Sequence, residues 1–89
     1  MELEKKVDLR KLQYFLAVAE DGQVVKAAKR LHMAQPPLSR QLKVFEDELG
    51  VKLLEKAGRQ LHLTKAGQAL RERGKQIMDL VEKTKKEIQ

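Results

Sequence analysis

The chain has 89 residues, with 19 Lys plus Arg against 13 Asp plus Glu and a formal charge of +6. That length holds one domain at most, and its 36% charged and 42% apolar residues suit a largely helical globular domain. No apolar run approaches the ~18 residues of a membrane span, and the lack of cysteine excludes disulfides, thiolate metal sites and cysteine nucleophiles.

The excess of positive charge points to a polyanionic partner. One Tyr, two Phe and no Trp are too few for the aromatic platforms that readers of single-stranded nucleic acid use. The start lacks the basic, apolar and small-residue order of a signal peptide. Residues 1–7 read MELEKKV, charged and of mixed sign, and are expected to form a frayed start.

From Asp8 the pattern becomes periodic. Leu9, Leu12, Phe15, Leu16 and Ala19 recur at steps of three and four, one face of a helix. Asp8 is its expected N-cap and Gly22 its stop. A short second helix carries Val24, Ala27, Ala28 and Leu31 inward and Lys26, Lys29 and Arg30 on the other side. The two alanines let another helix cross close by, as a tight helix-turn-helix requires.

Pro36 and Pro37 break any preceding helix and suit the first turn of a third one. Leu38, Leu42, Phe45 and Leu49 form its buried stripe, and Gly50 ends it. Its charge is divided along its length. Gln35 to Lys43 contains Arg40 and Lys43 but no acid, whereas Glu46, Asp47 and Glu48 are all acidic. A helix whose N-terminal half enters a duplex groove has this layout, with its free amides and dipole adding to the attraction. Gln35 and Arg40 can make the bidentate contacts that identify A and G. Ser39 suits a phosphate oxygen or a nearby base, and the rings of Pro36 and Pro37 can touch a thymine methyl. The three acids are expected to form a solvated face.

Val51, Leu53 and Leu54, then Leu61 and Leu63, read as two short strands flanking the polar segment Glu55–Arg59. Lys56 and Arg59 flank Gly58 at the tip, where a wing meets a DNA backbone or minor groove. The elements are those of a winged helix-turn-helix over residues 8–63. Over residues 64–89, Thr64 caps a long helix. Leu70, Ile77, Leu80, Val81, Thr84 and Ile88 give that helix a seam too narrow for a core, which calls for a partner helix. Gly74 interrupts the seam, through either a close helix crossing or a neutral accident. His32 and His62 stand alone and no metal site is expected; His32 closes a turn and His62 lies on an outer strand face. Nucleophile elbows and glycine-rich phosphate loops are absent, so no enzyme and no cofactor is expected.

The stretch from Leu9 to Leu70 resembles the DNA-binding domain of the LysR-type transcriptional regulators. The resemblance runs through the first helix from Leu9 to Phe15, the pair Ala27-Ala28, Leu31, and the block Ala34-Gln35-Pro36-Pro37-Leu38-Ser39-Arg40-Gln41-Leu42. It continues through Phe45-Glu46, Leu49-Gly50, Leu53-Leu54, Leu63-Thr64 and Ala66-Gly67. It implies a mainly α winged helix-turn-helix followed by a linker helix. The base-contacting residues would be Gln35, Pro36, Pro37, Ser39 and Arg40. The resemblance also turns Arg59 toward the minor groove, and the residues themselves lead us to expect Lys26, Lys43 and Lys56 on the phosphate backbone. The implied partners are a double-stranded inverted-repeat operator and a second copy, paired antiparallel through the linker helix. A tetramer of the full-length protein is also open, and the implied location is the bacterial cytoplasm, on the nucleoid.

Three short stretches depart from the family pattern. Gln23 and Val25 stand where Ser and Thr are common, Ala34 replaces a Ser, and Leu54-Glu55-Lys56 replaces Phe-x-Arg. Lysine there keeps the charge but loses the fork of donors. The family's effector-binding domain follows the linker helix, and this chain stops at Gln89. It is therefore expected to be a fragment with no small-molecule site. The competing reading is a protein-interaction module with an incidental basic face.

Overall fold

The computed structural model describes residues 7–89. The expected frayed start therefore falls outside the described residues, except for Val7, which is exposed and without regular structure. The elements follow as α1 (Leu9–Asp21), α2 (Val24–Arg30), α3 (Gln35–Leu49), β1 (Leu54–Ala57), β2 (Gln60–Leu63) and α4 (Lys65–Ile88).

Helix α1 begins at Asp8, whose Oδ1 accepts from the Arg10 and Lys11 amides at 2.9 and 3.2 Å. The Lys11 amide bond is the main cause holding this carboxyl below its usual pKa, against an opposing cost of desolvation. Gly22, at φ 73°, ends the helix. The inward face is wider than the expected stripe. Leu12, Phe15, Ala17 and Val18 are buried, Leu16 and Ala19 are half-buried, and Leu9 is exposed. The reason is that α1 is central: it packs on α2, α3 and α4, and three neighbours need more than one row of side chains.

Ala27 and Ala28 are both buried, as a close helix crossing demands. Arg30 is more than outer-face charge. Its Nε donates to Asp21 Oδ2 and its Nη2 to the Ala17 carbonyl, both at 3.2 Å, tying the end of α2 to α1. The turn into α3 places His32 at φ 56°. The His32 amide donates to the Lys29 carbonyl and the Met33 amide to that of Ala28, which ends α2 in a Schellman turn. In α3, Leu38, Leu42 and Phe45 are buried and Gly50, at φ 73°, is the stop.

The ribbon differs from its expected outline. Strand β1 runs on through Ala57, so the loop is only Gly58-Arg59. The strands pair antiparallel, with Leu54 opposite Leu63 and Ala57 opposite Gln60. Gly58, at φ 65°, supplies the positive φ that a tight hairpin needs at its first turn position. Leu53 precedes the strand and is buried in the core. Glu46 explains why: its Oε2 accepts from the Leu53 and Leu54 amides at 2.7 and 3.1 Å. Glu48 pairs with Lys11 through both carboxylate oxygens, at 2.9 and 3.0 Å. Two of the three acids of α3 thus fasten the fold, which corrects the expectation of a solvated face.

Thr64 caps α4, with its Oγ1 accepting from the Gly67 amide at 3.0 Å and donating to the Lys52 carbonyl at 2.6 Å. The Thr64 amide donates to the Leu53 carbonyl at 3.0 Å. Gly67 is buried against that same carbonyl, which a Cβ would strike. Gly74 is buried where α4 crosses α1: a Cβ there would lie 2.9 Å from Leu12 Cδ1 and 3.2 Å from Leu16 Cδ2. The close crossing accounts for this glycine.

Candidate nucleic-acid interface

The buried stripe of α3 turns its other face outward. Gln35, Pro36, Ser39, Arg40 and Lys43 are exposed, and Pro37 is half-buried. Ala34 supplies no side-chain cap, and prolines occupy two of the first positions. This corrects the expectation of free amides at the helix start. Pro36 and Pro37 have no N–H, so side chains must supply most of the donors there.

The fold brings some of the expected residues together. Gln35 and Ser39 of α3, Lys56 of β1 and Arg59 of the turn line one groove of about 660 Å3. Gln23, Val24, Val25, Gly58 and Leu61 complete its walls. Arg40 and Lys43 lie outside that groove, farther along the exposed face of α3; Lys43 lines a separate hollow with Asp47 and Lys52. Lys26 is exposed on α2 and lines neither. Among the described residues, no carboxylate is within 4.0 Å of Lys26, Arg40, Lys43, Lys56 or Arg59. Lys11 and Arg30, by contrast, hold acids of the protein itself. The cations without acid partners and the amide and hydroxyl of Gln35 and Ser39 give a surface that can grip phosphates and read base edges.

The wing is held in place by backbone. The Leu61 amide donates to the Gly22 carbonyl at 3.0 Å, joining β2 to the turn before α2. The side chain of Gln60 lies over Gly22, where a Cβ would stand 2.8 Å from its Oε1. Glu46 holds the other strand. Gln60 and Glu46 were not singled out from the sequence as positioning residues, because both act through contacts that no local pattern records. Gln23 and Val25, at the edge of the groove, stand out in the sequence only by departing from the family pattern.

On α4, Ile77, Leu80 and Ile88 are 38%, 64% and 77% exposed, while Val81 is half-buried. Thr84 is exposed and donates its hydroxyl to the Leu80 carbonyl at 2.7 Å. Leu70 differs from the rest of the seam, because it packs in part against the core of its own domain. It also borders an apolar hollow with Val51, Ala66 and Ala69. Among the described residues no His, Cys, Asp or Glu cluster could hold a metal, and no helix is long and apolar enough to cross a membrane.

Known proteins share this arrangement. TcbR of Pseudomonas sp. (strain P51), an HTH-type transcriptional regulator, is 49% identical over 74 residues, which are 83% of this chain and 25% of TcbR. This chain thus spans about a quarter of that curated relative. The crystal structure of a CbnR DBD–DNA complex superposes with a TM-score of 0.85 at 45% identity, covering 90% of this chain and 92% of that one. The BenM DBD bound to benA site 1 DNA gives a TM-score of 0.88 at 38% identity, covering 91% and 94%. The family model of bacterial regulatory helix-turn-helix proteins of the lysR family matches residues 9–68. With that match over most of its length, and four helices and a two-stranded wing in the corresponding order, the chain belongs to the lysR family of bacterial regulatory helix-turn-helix proteins.

Proposed function

We propose that this chain is the sequence-specific DNA reader of a bacterial LysR-type transcriptional regulator, acting as a dimer on an inverted-repeat operator. The observation that carries the reading is the exposed side of α3, with Gln35, Ser39, Arg40 and Lys43, whose first turns share a groove with Lys56 and Arg59 of the wing through Gln35 and Ser39. Helix α3 enters the major groove. Gln35, Pro36, Pro37, Ser39 and Arg40 meet base edges, Lys26, Lys43 and Lys56 meet phosphates, and Arg59 reaches into the minor groove. The seam Ile77, Leu80, Val81, Thr84 and Ile88, with the outer side of Leu70, joins two copies. The dimer then sets two α3 helices one helical turn apart, about 34 Å. The chain works by binding and catalyses no reaction, and its place of action is the cytoplasm, on the nucleoid.

Selection of bound duplexes from a random pool tests this reading. The recovered sites carry a two-fold symmetric motif, and affinity falls steeply with salt because each phosphate neutralised adds about 0.9 to the slope of log K against log salt. A protein-interaction module built on the seam gives no enriched motif and is nearly indifferent to salt.

A further inference from the structure

On the DNA-binding reading, this chain holds a duplex with α3 and the wing together. With α3 in the major groove and the wing in the adjoining minor groove, one sugar–phosphate strand must pass between them, since it is the wall the two grooves share. The hollow that faces this strand is the groove of about 660 Å3 between wing, α3 and the start of α2. Its wing wall carries Lys56 and Arg59, and its α3 wall Gln35 and Ser39.

The α2 wall has a different character. Val24 and Val25 both line it, but Val24 is half-buried against the core, whereas Val25 stands 47% exposed and takes no part in the core cluster. A β-branched side chain is a poor helix former, so an exposed position on a helix does not favour it for its own sake. Gln23, just before it, makes no capping hydrogen bond. The groove thus offers both polar and apolar surface, and a nucleic-acid strand presents both. Its phosphates demand cations and donors, while the deoxyribose rings between them present C–H edges that demand nothing polar.

We propose that this groove seats one sugar–phosphate strand of the duplex and that Val25 packs its methyl groups against a deoxyribose ring. Lys56 and Arg59 hold the flanking phosphates from the opposite wall. A 2′-hydroxyl on that sugar would press on the valine methyls without a hydrogen-bond partner, so the contact also selects deoxyribose at that position.

The test uses a duplex recovered by selection and measures Kd across a salt series. Val25→Ala weakens binding roughly fivefold, the loss of two half-covered methyl groups, and leaves the salt slope unchanged. Lys56→Ala lowers the slope by about 0.9. The melting point of Val25→Ala stays at or above that of the parent, because the site is exposed and Ala favours helix. In a scan of single ribonucleotides through the site, one position per half-site weakens the parent several-fold, and Val25→Ser removes that penalty by offering the 2′-hydroxyl a partner. Unchanged affinity of Val25→Ala, or one ribonucleotide profile common to parent and Val25→Ser, overturns the placement of Val25. Failure of the parent to bind any duplex overturns the DNA reading beneath it.

Discussion

His32 occupies the left-handed region at φ 56°, where an L side chain crowds its own backbone and glycine does not. The Schellman turn that it closes places α3 against α2, so the strained residue sits at the hinge of the helix-turn-helix. His32→Gly relieves the strain and loses no buried contact, since the imidazole is exposed. Allowing for the added freedom of the unfolded chain, we expect a gain of about 1 kcal/mol in chemical denaturation with operator affinity unchanged. Equal or lower stability would place the turn's geometry outside this explanation. The turn itself was legible from the two prolines beyond it. The positive φ was not, because His gives no local warning of it.

At the scale of elements, the glycines of α4 make a contrast that can be measured. Gly67 faces the Leu53 carbonyl, which is fixed by the Thr64 amide, while Gly74 faces the ends of the Leu12 and Leu16 side chains. A backbone oxygen held by a hydrogen bond cannot retreat as a leucine methyl can. Gly67→Ala is therefore expected to cost about 2 kcal/mol net of its better helix propensity, with Gly74→Ala within about 1 kcal/mol of the parent. Thermal melts of the two variants check the order, and a reversed order would refute it. The same elements mark how far the sequence could be read. Helix α3 was legible because Leu38, Leu42 and Phe45 repeat at helical spacing and Gly50 follows. The outline of β1 was not: its pairing with β2 runs from Leu54 to Ala57, and at its start Glu46 pairs with the Leu53 and Leu54 amides. That pairing spans seven or eight residues and leaves no periodic trace.

For the whole molecule, the long helix leaves apolar surface that the described residues do not cover. Ile77, near its middle, is the natural site to break a dimer. Ile77→Asp places a charge in an apolar seam and is expected to weaken self-association by at least tenfold in sedimentation equilibrium, while the circular dichroism of the heads is retained. An association constant equal to the parent's would remove the seam as the interface. The need for a partner helix was legible from the thin stripe. The share of Leu70 that faces its own core was not, since a stripe does not say which neighbour it meets.

Guanine N7 interference reports whether the start of α3 lies in the major groove with Arg40 on a base edge. N7 is a major-groove acceptor, and Arg is its usual partner. On a selected operator, methylation at one guanine in each half-site should block the parent protein. Arg40→Ala should bind about 1 to 3 kcal/mol more weakly and lose its sensitivity at those two guanines alone. An interference pattern identical for parent and Arg40→Ala, or one with no major-groove guanine in it, would exclude this placement of α3 and Arg40.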